Sequence, residues 1–262
     1  IVVWQEQGLG DALQFVRFAS LLKPLGAARV TLHCHPTLAP LMQGVDGIDA
    51  VITRPQDGGP HDYWVMLLDL PRLLGTTVDR IPAPLPYLHA DPARVARWAP
   101  HLPAGLKVGL VWRGAPGQEN DDLRSLPALE TLAPLWRVPD LRFVSLQKGE
   151  GEAQALHPPA GQSLTALGHG FEDMMDTAAV VSQLDLVITV CTSVAHLAGA
   201  LGKPTWVLLP AIGADWRWLL DRDDSPWYPG VMRLFRSQVP GDWTAAVAAV
   251  GEALAAWRQG RA

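Results

Sequence analysis

Charge is scarce in this chain. Asp, Glu, Lys and Arg make up 18% of its 262 residues, against about 25% in average usage. With 48% hydrophobic residues alongside, disorder driven by charge repulsion is excluded. Cysteine is scarcer still. Cys34 and Cys191 are the whole supply, which excludes a disulfide framework and fits a reduced, cytoplasmic compartment. No basic, apolar and small-residue leader opens the sequence. Residues 186–202 lack Asp, Glu, Lys and Arg, but they hold Thr, Ser, His and Gly. They read as a buried strand turning into a helix, short of the ~20 apolar residues of a membrane span. Basic excess is missing too: 21 Lys and Arg stand against 26 Asp and Glu, with neither half polybasic. That argues against a nucleic-acid partner.

Tryptophan, by contrast, is abundant: 11 Trp against 3 Tyr and 5 Phe. Its N–H needs a partner when buried, and it is enriched at binding surfaces. Trp216, Trp218 and Trp227 crowd one irregular segment near the C-terminus. Of these, Trp216 is the candidate to face a ligand.

Apolar runs predict strands at residues 1–5, 29–34, 50–53 and 63–68, with a helix over 11–22. After a Pro-rich stretch (Pro82, Pro84, Pro86, Pro92, Pro100 and Pro103) the pattern restarts. Strands are expected at 107–112, 142–146, 184–190, 205–209 and 231–235. Helices are expected at 127–136, 171–182, 192–201 and 242–257. Strands alternating with helices give an α/β fold with parallel sheets. We divide the chain into a Rossmann-like unit at 1–90, a linker with a short helix at 91–105, and a second Rossmann-like unit at 106–262. A ligand crevice is expected at the strand C-termini, between the units. The chain opens at Ile1 inside an apolar run and without Met, the pattern of a domain with sequence upstream.

Three motifs carry chemistry. Gly8-Leu9-Gly10-Asp11 lies between the first strand and first helix. Its glycines let backbone approach an anionic ligand, and Asp11 suits either a helix cap or a catalytic base. Cys191-Thr192-Ser193-Val194-Ala195-His196 opens a helix after a buried strand. Free N–H groups there, two hydroxyls and His196 one turn in suit a diphosphate. The alternative makes Thr192 or Ser193 a cap and His196 an interior histidine. In Ser145-Leu146-Gln147-Lys148-Gly149-Glu150, Lys148 suits a phosphate and Glu150 a ribose, or both belong to a solvated loop. Metal signals are weak. His33-Cys34-His35 points alternate side chains to opposite faces, and Asp121-Asp122 and Asp221-Arg222-Asp223-Asp224 read as solvated loops.

Taken together, the chain resembles glycosyltransferase family 9, the heptosyltransferase-like enzymes, in the branch that follows tetratricopeptide repeats in bacterial proteins. The resemblance rests on Gln7-Gly8-Leu9-Gly10-Asp11, Val108-Gly109-Leu110-Val111-Trp112 with Asn120-Asp121, and Arg124-Ser125-Leu126-Pro127. It continues through residues 145–149 and 192–204, Asp215-Trp216-Arg217-Trp218 and Ser225-Pro226-Trp227-Tyr228-Pro229. It implies a GT-B architecture, two Rossmann-like domains facing across a cleft. It also implies inverting transfer from a nucleotide-sugar donor, with no cofactor and no metal. Asp11 matches the family's general base, and Lys148, Thr192, Ser193 and His196 match positions near the donor diphosphate. Implied partners are the donor, an acceptor (glycan, lipid-linked saccharide or protein) and an upstream repeat module. The implied location is cytoplasmic, at most peripheral to the inner membrane. The family carries Asp immediately before this Thr, where this chain has Cys191. A thiol holds no fixed charge, which motivates a second reading: a catalytically impaired nucleotide-sugar-binding module of a scaffold protein. A third, an epimerase, would need a carboxylate pair beside the donor, and none is evident.

Overall fold

The computed structural model describes residues 1–117 and 121–261; Asn120 of the resemblance lies outside them. Two wholly parallel sheets carry the fold. The first is β3-β2-β1-β4, from β1 (Val2–Trp4), β2 (Thr31–His33), β3 (Ala50–Ile52) and β4 (Trp64–Met66). The second begins with β5 (Leu106–Val111), β6 (Leu141–Ser145) and β7 (Leu164–Ala166). It is completed by β8 (Leu186–Val190), β9 (Thr205–Leu209) and β10 (Met232–Arg236), in the order β10-β9-β8-β5-β6-β7. Two inner strands of the second sheet, β8 and β9, are buried throughout. Their continuous apolar runs are what a parallel sheet covered on both faces requires.

Among the described residues, nine of the ten strands sit where the sequence places them. The tenth, β7, is a three-residue edge strand in a Gly- and Pro-bearing stretch, too short to show a period. Two helices differ from expectation. The first is an α-helix only over Leu9–Phe15 and tightens to 3₁₀ over Val16–Leu21. The stretch Leu129–Arg137 is 3₁₀ throughout. Pro134 within it lacks the N–H and clashes with the carbonyl an α-helix would need.

One apolar core crosses the proline-rich boundary. It joins Val3, Leu13 and Leu32 from the first sheet and its helix to Ala195, Leu197, Trp227 and Tyr228 from the second half. Helix Leu9–Phe15 packs along helix Ser193–Ala200, and the crossing depends on Gly10. A Cβ there would come within 2.9 Å of the His196 ring. Arg17 makes a second tie. It is 3% exposed and donates to the carbonyls of Trp227 (2.6 Å) and Pro82 (3.2 Å) and to Tyr87 Oη (2.8 Å). Its guanidinium also lies over the rings of Tyr87 and Tyr228. Among the described residues no helix is long and apolar enough to cross a membrane.

A buried carboxylate fixes the helix Pro92–Trp98. Asp176, fully buried in helix Met174–Val181, accepts from Arg94 at 3.0 Å, from Arg97 and from Trp98 Nε1 at 3.1 Å, all on helix Pro92–Trp98. Burial alone would raise its pKa. The Glu172 N–H, the Trp98 N–H and the Arg94 cation outweigh that and hold it below the ordinary carboxylate value. Its contribution is therefore present above the unfolded-state carboxylate pKa and fades as pH falls through the lower folded value. Replacing Asp176 by Asn leaves buried donors and a cation without their charge partner. We expect a loss of about 3–5 kcal/mol, measured as a lower urea midpoint at unchanged slope.

Candidate functional site

Both sheets direct their strand C-termini at one cavity of about 950 Å³. The loops after β1, β2, β5, β6, β8 and β9 all reach it, which is where open parallel sheets hold ligands. Gln7, after β1, holds a left-handed backbone (φ 58°). The chain then turns into helix Leu9–Phe15 so that the Gly8 N–H donates to Asp11 Oδ2 at 2.9 Å. The other Asp11 oxygen receives Arg217 Nη1 at 2.6 Å. Arg217 also donates to Gln14 Oε1 (2.9 Å) and grips Asp215 through Nε (2.7 Å) and Nη2 (2.6 Å). Burial disfavours the guanidinium charge, but Asp215 and Asp11 outweigh it and raise the Arg217 pKa.

Thr192 occupies the N-cap of helix Ser193–Ala200 but makes no side-chain cap bond. Its hydroxyl lies 3.1 Å from Thr189 Oγ1, whose own proton goes to the Val190 carbonyl. The helix start at Thr192, Ser193 and Val194 therefore faces the cavity without a side-chain cap. Its N–H groups favour an anion. One turn in, His196 is 6% exposed, stacks on Trp218 (5.3 Å between centroids, 21°) and meets Tyr228 Oη through Nδ1 at 3.0 Å. Burial, aided by the Arg217 and Arg17 cations, pushes its pKa down to about 3. His196 is thus neutral at pH 7. Burial pushes the Tyr228 phenol well up, so Tyr228 keeps its proton. Cys191 also lines the cavity. Its Sγ accepts from Trp218 Nε1 at 3.1 Å, and burial raises its pKa, so it remains a thiol.

Lys148 lines the cavity and donates to the Phe171 carbonyl at 2.6 Å. Its loop is held by Gln147, which accepts from Trp112 N and Arg113 N and donates to the carbonyls of Arg113 and Glu150. Arg124 also lines the cavity and reaches the Cys191 carbonyl at 3.3 Å.

Several sequence expectations change here. Gly8 and Gly10 line the cavity and also serve the local structure. The Gly8 N–H is engaged by Asp11, and Gly10 serves the helix crossing. Glu150 stays outside the cavity wall and pairs with Arg113 at 2.5 Å. The tryptophan facing the cavity is Trp218, not Trp216. Asp215 caps the 3₁₀ turn Trp216–Trp218, and that turn sends Trp218 inward while Trp216 stands 71% exposed. Asp121 is no solvated loop residue; it is buried and binds Arg124 Nε and Ser125 Oγ, each at 3.0 Å. Among the described residues no group of three or more His, Cys, Asp or Glu could hold a metal. Sequence reasoning missed Arg217 and Tyr228 as site residues. Both lay inside quoted motifs, but only the fold reveals what they reach.

No protein-family model matches the chain. Protein FlbA of Caulobacter vibrioides is 29% identical over 284 residues, covering 97% of this chain and 46% of that protein. The chain thus spans less than half the length of this curated relative. Among solved structures, E. coli ADP-heptose lps heptosyltransferase II aligns with a TM-score of 0.66 at 12% identity, covering 98% of this chain and 99% of that one. The glycosyl transferase family 9 protein of Veillonella parvula DSM 2008 gives 0.65 at 14%, covering 97% and 92%. E. coli heptosyltransferase WaaC with ADP-2-deoxy-2-fluoro heptose gives 0.57 at 12%, with full coverage of both. The chain shares the fold of these structures.

The His196 environment has a stability signature. Its folded pKa is lowered from 6.5 to about 3, so below pH 6.5 the unfolded chain binds a proton that the folded chain refuses. Stability is lost as pH falls. Between pH 6.5 and 5 we expect wild type to lose up to about 1.4 kcal/mol per pH unit from this group. Urea titrations of wild type and His196→Asn should show the slope flattening in the variant.

Proposed function

We propose that the chain is a glycosyltransferase. It moves a sugar from a nucleotide-sugar donor to an acceptor hydroxyl with inversion. The observation that carries this reading is the meeting, in one cavity, of a fixed carboxylate from the first half with an uncapped helix N-terminus from the second. The fold shared with heptosyltransferases, one solved with a nucleotide-sugar analogue, supports the same reading.

In this reading Asp11 takes the proton from the acceptor hydroxyl as its oxygen attacks the anomeric carbon. The bond from that carbon to the diphosphate breaks on the opposite face, and the nucleoside diphosphate leaves with the electron pair. Negative charge grows on the diphosphate, where preorganised donors lower the barrier most. The Ser193 and Val194 N–H groups, Lys148 and Arg124 meet that charge, in place of a metal ion. With Tyr228 as the donor in its contact with His196 Nδ1, the histidine's single proton is on Nε2, for donation to the phosphate oxygens. The first half holds the acceptor and the second the donor. A cytoplasmic location and an upstream repeat module belong to the same reading.

Cys191 sustains the second reading, a nucleotide-sugar-binding module without turnover. Its thiol, held by Trp218, brings no charge to the donor side. Asp11→Asn separates the two. We expect transfer to fall by at least about a hundredfold, the scale of a general base, while nucleotide affinity by titration stays within about twofold. Nucleotide-sugar binding by wild type with neither transfer nor donor hydrolysis, over a broad acceptor panel, would favour the module.

A further inference from the structure

The run His33-Cys34-His35 has no part in the donor chemistry, and its place in the fold assigns it another. Cys34 lies in the core. His35 precedes Pro36, which biases it to extended backbone (φ −58°, ψ 138°). There its Nδ1 accepts from Thr37 N at 3.2 Å and caps the 3₁₀ turn Pro36–Leu38. Its own N–H donates to Gln5 Oε1 at 2.8 Å. These two bonds fix chemical identities. An imidazole accepting at Nδ1 carries its proton on Nε2, and an amide accepting at Oε1 has its NH₂ as the end left to a ligand. Gln5, His35 and Thr37 all line the cavity, on the side that carries Asp11.

That side is uncharged apart from Asp11. Among the described residues, the wall contributed before residue 90 holds no Lys or Arg. The charge of Asp11 is already met by Arg217 from the second half, so this wall offers a phosphorylated or carboxylated acceptor no cation of its own. The wall instead presents the Gln5 amide and the His35 imidazole, each held by a backbone N–H, and the Thr37 side chain beside them, groups that match the oxygens of a polyol.

We propose that Gln5, His35 and Thr37 form an acceptor subsite for an uncharged carbohydrate. The His35 Nε2–H and the Gln5 amide donate to sugar oxygens and bring a hydroxyl to Asp11. The inference rests on the glycosyl-transfer reading and names its acceptor class. His35 is a specificity residue; it touches no reacting bond.

Two substitutions separate recognition from folding. His35→Asn keeps a cap for the turn, since Asn is a favoured N-cap, but removes the Nε2 donor. His35→Gln keeps a donor at similar reach. The probe is an array of neutral oligosaccharides, their phosphorylated and uronic-acid counterparts, and Ser/Thr peptides, with ADP, UDP, GDP and CDP present. Wild type should be retained on neutral glycans. H35N should bind them about tenfold more weakly, the scale of one hydrogen bond, and H35Q should keep most of the binding. Nucleotide affinity by titration should be unchanged in both. Retention chiefly on acidic glycans, on peptides, or on nothing would overturn the proposal, as would H35N binding equal to wild type. Failure of the wider reading would look different: wild type would bind no nucleotide at all.

Discussion

Arg217 holds the site together. It leaves the irregular segment after β9, crosses to the helix after β1, and binds Asp11 and Gln14 there while keeping Asp215 beside it. A buried guanidinium without partners would be expelled from such a place. With two carboxylates and an amide oxygen it is stable, and it determines where three elements sit. Asp11 is fixed between Arg217 and the Gly8 N–H. The turn Trp216–Trp218 is oriented through Asp215, which brings Trp218 onto His196 and Cys191. The Arg17 contacts with Trp227, Pro82 and Tyr87 repeat the arrangement deeper in the core, with carbonyls and rings in place of carboxylates.

Burial then sets the protonation states. His196 and Cys191 stay neutral for the same reason, desolvation, and Tyr228 keeps its proton beneath them. The positive charge that the second half brings to the cavity wall beside the helix start comes from the side chains of Lys148 and Arg124. Cys191 accepts an indole N–H and adds no negative charge to the cavity wall. The wall built from Gln5, His35 and Thr37 contrasts with this. Its polar groups are held by backbone N–H groups, and among the described residues that wall contributes no Lys or Arg.

The sequence was most informative where a local rule operates. The Val-, Ile- and Leu-rich runs of β5, β8 and β9 announce buried parallel strands, and the glycines before Asp11 announce the turn into a helix. The order of the motifs pointed to the fold. What stayed hidden depends on distance. Nothing around Arg217 reveals that Asp11, 206 positions away, is its partner. Nothing in Trp216-Arg217-Trp218 says which indole turns inward, because a 3₁₀ cap at Asp215 decides it. Gly10 reads as a ligand-binding glycine until the His196 ring appears opposite it. β7 escapes because three residues carry no period.

The account stands on the cavity's taking a nucleotide sugar at the start of helix Ser193–Ala200. Thermal unfolding in the presence of ADP-, UDP-, GDP- and CDP-sugars tests that directly, since a ligand that binds only the native state stabilises it by mass action, about 2.7 kcal/mol at a hundredfold excess over Kd. One nucleotide class should raise the melting temperature saturably, by roughly 5–10 °C for a chain of this size, and His196→Ala should weaken that response. No shift with any of the four, at millimolar concentration, would contradict it.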